Sequence, residues 1–248
     1  MEKKEMAFGT RAVMEAIRSG REIEKIYIQA GLNNDLIREL INTAQANKVP
    51  FSFIPQQKLN TISSKNHQGV ICLLSIVQYA SLENIIDRCY EQGRDPFFLV
   101  LDRVTDVRNF GAIARTVEGA GLDAIIIGEK GNAPISADAM KTSAGALNHL
   151  PVCRVKDMSK AFQLLKENGI QIVACTEKAE KTFYEMELNS PLAIVMGSEE
   201  DGISPQILKE ADQLAKIPMK GQIGSLNVSV AAGIAIYEAV RQKIQKSI

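Results

Sequence analysis

The chain has too little histidine and too scattered a set of cysteines to build a metal centre or a disulfide frame. It holds two histidines, His67 and His149, and four cysteines, Cys72, Cys89, Cys153 and Cys175, with no CxxC pair among them. Zinc and structural disulfides are therefore not expected. No apolar run approaches the ~20 residues that a membrane span requires, and the first residues, "MEKKEMAFGTR", contain no apolar core of a signal peptide. A cytoplasmic protein is expected. Net charge is also lacking, with 29 basic against 29 acidic residues, which argues against a grossly basic nucleic-acid binder. The charge is uneven, however: residues 1–80 carry ten Lys and Arg against seven Asp and Glu, and residues 81–248 carry 19 against 22.

Three nucleotide and nucleophile signatures are missing as well. No GxGxxG follows a strand, no GxxxxGK[ST] occurs, and there is no GxSxG elbow. What remains is 248 residues of ordinary globular composition, enough for one large domain or two smaller ones.

Hydrophobic patterning divides the chain. In the front part, "FGTRAVMEAIRSG" predicts a helix with Thr10 as N-cap and Gly20 as stop. "EKIYIQA" predicts a strand, residues 34–47 a helix stopped before Pro50, and "PFSFIP" and "QGVICLLSI" two further strands. This is a small α/β unit over residues 1–80. The hydrophilic "EQGRDP" marks residues 81–96 as a linker. Beyond it, "FFLVLDRV", "AIIIGE", "LPVCRV", "IQIVACT" and "LAIVMGS" are continuous apolar runs, the pattern of a mostly parallel sheet covered on both faces. Helices are expected over 111–121, 159–168 and 204–211, the last with Ser204 as N-cap and Pro205 at the first helical position.

In such a sheet, ligands bind beyond the carboxyl ends of the strands, and three loops there are polar. The first carries Asn109 and Gly111 ahead of a helix bearing Arg115. The second places Gly197 at a strand end with Glu199 two residues on. The third, "GQIGSLNVSVAAGIAIYEA", runs from two glycines through Ser225, Leu226 and Asn227 into a helix with no charge before Glu238. Each has a plain structural reading. Asn109 is a candidate helix cap, "GSEEDG" an acidic turn, and both histidines satisfied structural residues. Arg115 has the plain reading of a solvated arginine, set against its place among Ala112, Ile113, Ala114 and Val117, where a buried or cleft-facing cation needs a reason.

Taken in order, "NFGAIARTVEGAG", "IVMGSEEDGIS" and "IPMKGQIGSLNVSVAAGIAIYEAVRQ" resemble the three motifs of the SpoU (TrmH-type) SPOUT RNA 2′-O-ribose methyltransferases, over residues 97–243. The front unit, with "FGTRAVMEAI" and "HQGV", is similar to the ribosomal-protein-like RNA-binding domain of the 23S rRNA guanosine-2′-O-methyltransferase group. Val107 stands where that family has proline. The resemblance implies an α/β fold with a C-terminal trefoil-knotted SPOUT domain (97–248) of mostly parallel sheet, preceded by a small α/β RNA-binding domain. It implies a homodimer joined through the C-terminal domain, S-adenosyl-L-methionine as cofactor, no metal, and transfer of a methyl group to a ribose, with rRNA as partner and tRNA as the alternative. It assigns the chemistry to Asn109, Arg115, Glu199, Ser225 and Asn227, with Arg115 as hydroxyl activator or phosphate clamp. Cofactor contacts fall on Thr176, Gly197, Ile217, Met219 and Leu226. Small residues in the last helix then serve close packing in the knot or at a dimer interface. Arg11, Arg18, Arg21 and Lys25 become candidate phosphate contacts. A noncatalytic RNA-binding or ribosome assembly factor, or a small-molecule α/β enzyme, are the readings from other classes.

Overall fold

The structure, a computed structural model, describes residues 6–75 and 77–246. The leading segment read for a signal peptide lies outside them up to Glu5, as does Ile76 at the end of the expected "QGVICLLSI" strand. The chain divides into two compact units, Met1–Gln78 with Ile135–Ala137, and Tyr79–Pro134 with Asp138–Ile248.

In the first unit the order is β1 (Met6–Phe8), α1 (Thr10–Arg18), β2 (Ile23–Gln29), α2 (Asp35–Ala46), β3 (Phe51–Ile54), α3 (Gln56–Ile62) and β4 (Val70–Leu74). The sheet runs β1-β4-β2-β3, with β2 and β3 parallel and the other pairs antiparallel. Val13 and Ile17 of α1 and Ile37 and Leu40 of α2 pack with Ile26, Ile28 and Cys72 of one sheet face. Leu59 of α3 packs with Ile54 and Ile71 on the other. Asn34 caps α2, its side chain accepting from Ile37 N at 2.9 Å. Thr10 does not cap α1. It is the first helical residue, and the cap position belongs to Gly9 at φ 82°, a left-handed conformation that Thr would adopt only with strain. The three-residue β1 escaped the periodicity reading because it is too short to show alternation.

The second unit opens with α4 (Leu82–Glu91), inside the segment 81–96 expected as a linker. Ser81 caps it, and Leu82, Ile85, Ile86 and Cys89 are buried in the unit's core, so this stretch is packed structure rather than a free connector. There follow β5 (Phe97–Leu101), α5 (Val107–Gly119), β6 (Ala124–Gly128), α6 (Ala137–Thr142), β7 (Val152–Val155), α7 (Met158–Glu167), β8 (Gln171–Cys175), β9 (Leu192–Met196), α8 (Pro205–Glu210), β10 (Gln213–Ala215) and α9 (Val228–Lys246). The six strands pair in the order β10-β8-β9-β5-β6-β7, every pairing parallel.

Because successive strand residues point to opposite faces, both faces of this sheet need cover. Phe98, Val100, Ile126 and Val195 pack with α4, with Phe162 and Leu165 of α7 and with Ile207 of α8. The alternate residues Leu99, Leu101, Ile125 and Ile194 are also buried, on the side where α5 packs with α9 and α9 with β9. The chain leaves β5 towards β6 and β7 on one side, then returns to lay β9, β8 and β10 on the other. That reversal sets the carboxyl ends of β5 and β9 side by side, the place where parallel sheets of this kind open a crevice.

Candidate active site

The loop after β5 begins the site. Asp106 caps α5, its Oδ1 accepting from Asn109 N at 2.8 Å. The helix therefore starts at Val107, four residues before the expected Gly111, and Asn109 is not its cap. Val107 occupies the first helical position, where proline is favoured because its missing N–H has no helical partner; any residue tolerant of helical φ serves there. With its backbone amide engaged by Asp106, the Asn109 side chain is left to point elsewhere. Gly111, at the start of the second turn, is held to glycine by packing: a Cβ there would come 2.7 Å from Thr142 Cβ and 2.8 Å from Ala139 O.

The second loop follows β9. Ser198 and Gly202 exchange backbone hydrogen bonds of 3.1 and 3.0 Å, closing a tight acidic turn that presents Glu199, Glu200 and Asp201. Gly197 is obligatory for this closure, since a Cβ on it would lie 2.2 Å from Gly202 C and 2.3 Å from Ile203 N. The third loop ends at Asn227, whose Oδ1 accepts from Ser229 N at 3.0 Å and Val230 N at 3.4 Å and so caps α9.

These three loops meet. Glu199 Oε1 accepts from Asn227 Nδ2 at 2.6 Å, from Asn109 Nδ2 at 3.1 Å and from Val228 N at 3.2 Å. Asn227 Nδ2 also donates to Asn109 Oδ1 at 3.0 Å. Asn109, Glu199 and Asn227 thus form a closed triangle of side chains from three distant segments. The carboxylate additionally stands at the N-terminus of α9, where the helix dipole favours negative charge.

A cleft of about 320 Å³ opens beside the triangle at the ends of β8 and β9. Thr176, Gly197, Ile217, Met219 and Leu226, the five residues expected at the cofactor, all line it, together with Ser225 and Glu199. Sequence reasoning missed Glu177, Glu200 and Asp201 in this lining; nothing in their spacing distinguishes them from a solvated turn. Cys175 also lines the cleft, but burial pushes its thiol up to about 12, with Glu177 adding to the rise, so it is a neutral wall and not a nucleophile. A second cleft, of about 560 Å³, shares the same turn and is bordered by Arg103, Thr105, Asn109 and Glu199.

Arg115 is not part of the triangle, and it is not buried. It is exposed on α5 and lines neither cleft. Its apolar neighbours in sequence, Ile113, Ala114 and Val117, turn inward and leave it on the outer face. Of the front-unit cations, Arg18 is engaged by Glu39 at 2.8 Å. His67 is buried, with Nε2 2.9 Å from Asn60 Oδ1 and Nδ1 accepting from Gly69 N at 3.1 Å, as a structural histidine should be. Among the described residues no group of three or more His, Cys, Asp or Glu is placed to hold a metal ion, and no helix is long and apolar enough to cross a membrane.

Comparison with known proteins bears on both units. The model of the SpoU rRNA Methylase family matches residues 96–237, and that for RNA 2′-O ribose methyltransferase substrate binding matches residues 6–80. YacO of Bacillus subtilis, named as a TrmH-family tRNA/rRNA methyltransferase, is 33% identical over 235 residues, covering 95% of this chain and 94% of its own. The crystal structure of an AdoMet-bound rRNA methyltransferase from Sinorhizobium meliloti superposes with a TM-score of 0.59 at 25% identity, over 95% of this chain and 86% of that one. A TrmH/SpoU tRNA modifying enzyme from A. aeolicus superposes with a TM-score of 0.56 at 30% identity, over 67% of this chain and 86% of that one.

Proposed function

This chain belongs to the SpoU rRNA methylase family, and from that premise we propose that it transfers a methyl group from S-adenosylmethionine to the 2′-hydroxyl of a guanosine ribose in 23S rRNA. The observation that carries the reading is the Asn109, Glu199 and Asn227 triangle set against the cleft lined by Thr176, Gly197 and Leu226.

The cleft suits this cofactor by its chemistry. Ile217, Met219 and Leu226 offer apolar walls to a flat ring, while Glu177, Glu199, Glu200 and Asp201 place carboxylates around a ligand that carries positive charge. The tight backbone at Gly197 leaves main-chain groups at the strand end to contact it. When bound there, the cofactor supplies an electrophilic methyl group.

The chain's own residues must place the hydroxyl and stabilise its loss of a proton, because a ribose hydroxyl is a weak nucleophile near neutral pH. In this reading Asn109 and Asn227, fixed by Glu199, offer the polar face against which the ribose sits, and Ser225 borders it. Arg115 is the phosphate clamp: a guanidinium stays protonated and offers a planar fork to phosphate oxygens. Its exposure and its freedom from other bonds among the described residues suit a group that waits for substrate.

Further elements belong to the same reading. The 217–227 segment threads a trefoil knot on its way to α9. Two copies of the chain pair along α9, where Val230, Tyr237 and Ile244 recur every seven residues and are 51%, 52% and 58% exposed. The first unit selects the RNA, and the enzyme works in the cytoplasm. The ribosomal substrate is favoured because an rRNA methyltransferase of known structure spans 95% of this chain, whereas a tRNA modifying enzyme spans 67%.

The test is transfer of label from S-adenosylmethionine to RNA from a strain lacking the gene, with 2′-O-methyl mapping of rRNA and tRNA. One guanosine of 23S rRNA gaining the mark is the expected result. Label on tRNA alone would overturn the substrate, and cofactor binding without transfer to any RNA would leave an RNA-binding protein instead.

A further inference from the structure

Arg103, the second residue after β5, has a backbone φ of 60°. A side chain in this left-handed region is strained, and such strain persists only where surrounding contacts over-determine it. Those contacts are on all sides. Arg103 Nη1 donates to Asp201 Oδ2 at 3.3 Å and Nη2 to Gly202 O at 3.2 Å. Its buried Nε is 3.6 Å from Asp102 Oδ2, an ion pair just beyond hydrogen-bond reach, and the same Asp102 oxygen accepts from Ser204 N at 2.7 Å. From the third side, Gly131 leaves room for the arginine stem, since a Cβ there would stand 3.3 Å from Arg103 Cγ.

The C-terminal end of the acidic turn is thereby held by the loop after β5, Asp201 and Gly202 by the guanidinium and Ser204 by Asp102, and Gly202 passes that hold to Ser198 through their paired backbone hydrogen bonds. The free part of the turn is Glu199 and Glu200. Only Glu199 reaches the triangle, and it does so through one oxygen shared among three donors. A shift of the turn by about 1 Å would break that sharing, and displacements of this size cost about 100-fold in rate when a reacting group is misplaced.

We propose that Arg103 is a positioning residue: it fixes the 198–202 turn from below so that Glu199 aligns Asn109 and Asn227 for the acceptor ribose. The inference rests on the methyltransferase reading for its functional half and on the ion pairs alone for its structural half. Lysine cannot replace arginine fully here, because one ammonium does not span a carboxylate and a carbonyl with a fixed fork.

The experiment compares the wild type with Arg103→Gly, Arg103→Lys, Glu199→Ala and the Arg103→Gly/Glu199→Ala double variant. Glycine relieves the left-handed backbone while deleting the clamp, so loss of fold is not the expected outcome, and thermal melting checks this. Single-turnover methylation of total RNA from a strain lacking the gene is read at saturating S-adenosylmethionine. Arg103→Gly should lose about 10- to 100-fold, with Arg103→Lys between it and the wild type. The double variant should be no slower than Glu199→Ala by more than about twofold, since residues acting through one another are not additive. Multiplying losses, or a full rate in Arg103→Gly, would overturn the assignment. Hydrogen exchange at the Asp201 and Gly202 amides gives an arm independent of activity. Faster exchange in Arg103→Gly is expected, and unchanged exchange would refute the clamp even if the wild type methylated no RNA at all.

Discussion

Asn227 and Glu199, 28 residues apart in sequence, meet through a 2.6 Å hydrogen bond at the start of α9. The same asparagine caps the helix with its oxygen and holds the acidic turn with its nitrogen, so the last helix and the site are fixed by one side chain. Replacing Glu199 with Ala removes the acceptor of three donors. Stability should fall by about 1.5–3 kcal/mol, as for loss of hydrogen bonds to a charged group, and single-turnover methylation by at least about tenfold. Melting curves and label transfer measured together decide this; a variant with wild-type turnover would dissociate the triangle from the reaction.

Arg115→Ala should leave stability within about 0.5 kcal/mol, because the side chain is exposed. It should abolish methyl transfer while cofactor affinity, measured by calorimetry, stays within a few-fold. Arg115→Lys should also be poor. A lysine variant turning over near the wild-type rate would remove the case for a planar phosphate clamp.

At Gly197 even one added methyl group must displace backbone, since its Cβ would fall 2.2 Å from Gly202 C. Gly197→Ala should destabilise the second unit by about 1–3 kcal/mol or more, the usual range for overpacking, and weaken S-adenosylmethionine binding. Unchanged affinity and melting temperature would mean that the turn opens at little cost.

Helix α9 separates two kinds of small or apolar residue. Ala232, Ala235 and Ala239 are fully buried within the chain, whereas Tyr237 is 52% exposed. Ala235→Leu should cost about 1–3 kcal/mol by overpacking. Tyr237→Arg should keep the fold and convert the proposed dimer to monomer in sedimentation. A monomeric wild type, or a dimer untouched by Tyr237→Arg, would move the interface away from this stripe. Gly233 is not at a close approach: a Cβ there would meet only Thr116 Cγ2, at 3.9 Å.

A chain beginning at Tyr79 retains α4 and its core. It should bind S-adenosylmethionine as the full chain does and methylate RNA far more slowly, with a weaker dependence of binding on salt because phosphate contacts are lost. The double substitution Arg11→Ala with Lys25→Ala in the full chain should move both quantities the same way. An undiminished rate for the shortened chain would leave the first unit without a role in RNA selection.

The sequence by itself determined the parallel sheet, because runs such as "FFLVLD" and "LAIVMG" are apolar at every position and must be buried on both faces. It also singled out, by their places after strands, the three loops that the fold brings together through Asn109, Glu199 and Asn227. It did not reveal α4, whose hydrophilic flank "EQGRDP" masked an amphipathic helix packed into the core. Nor did it separate Asn109 from the capping role that Asp106 holds, or show that Arg115 faces outward. Those matters turn on helix phase and on which residue reaches which amide, differences of one position that composition does not register. The resemblance singles out Glu199, but only the tertiary structure decided that its side chain, and not that of Glu200 or Asp201, bonds both asparagines, and that Arg103 is bent into a left-handed conformation to hold the turn. Neighbouring carboxylates are equivalent in sequence. They become distinct when backbone closure between Ser198 and Gly202 aims each in its own direction.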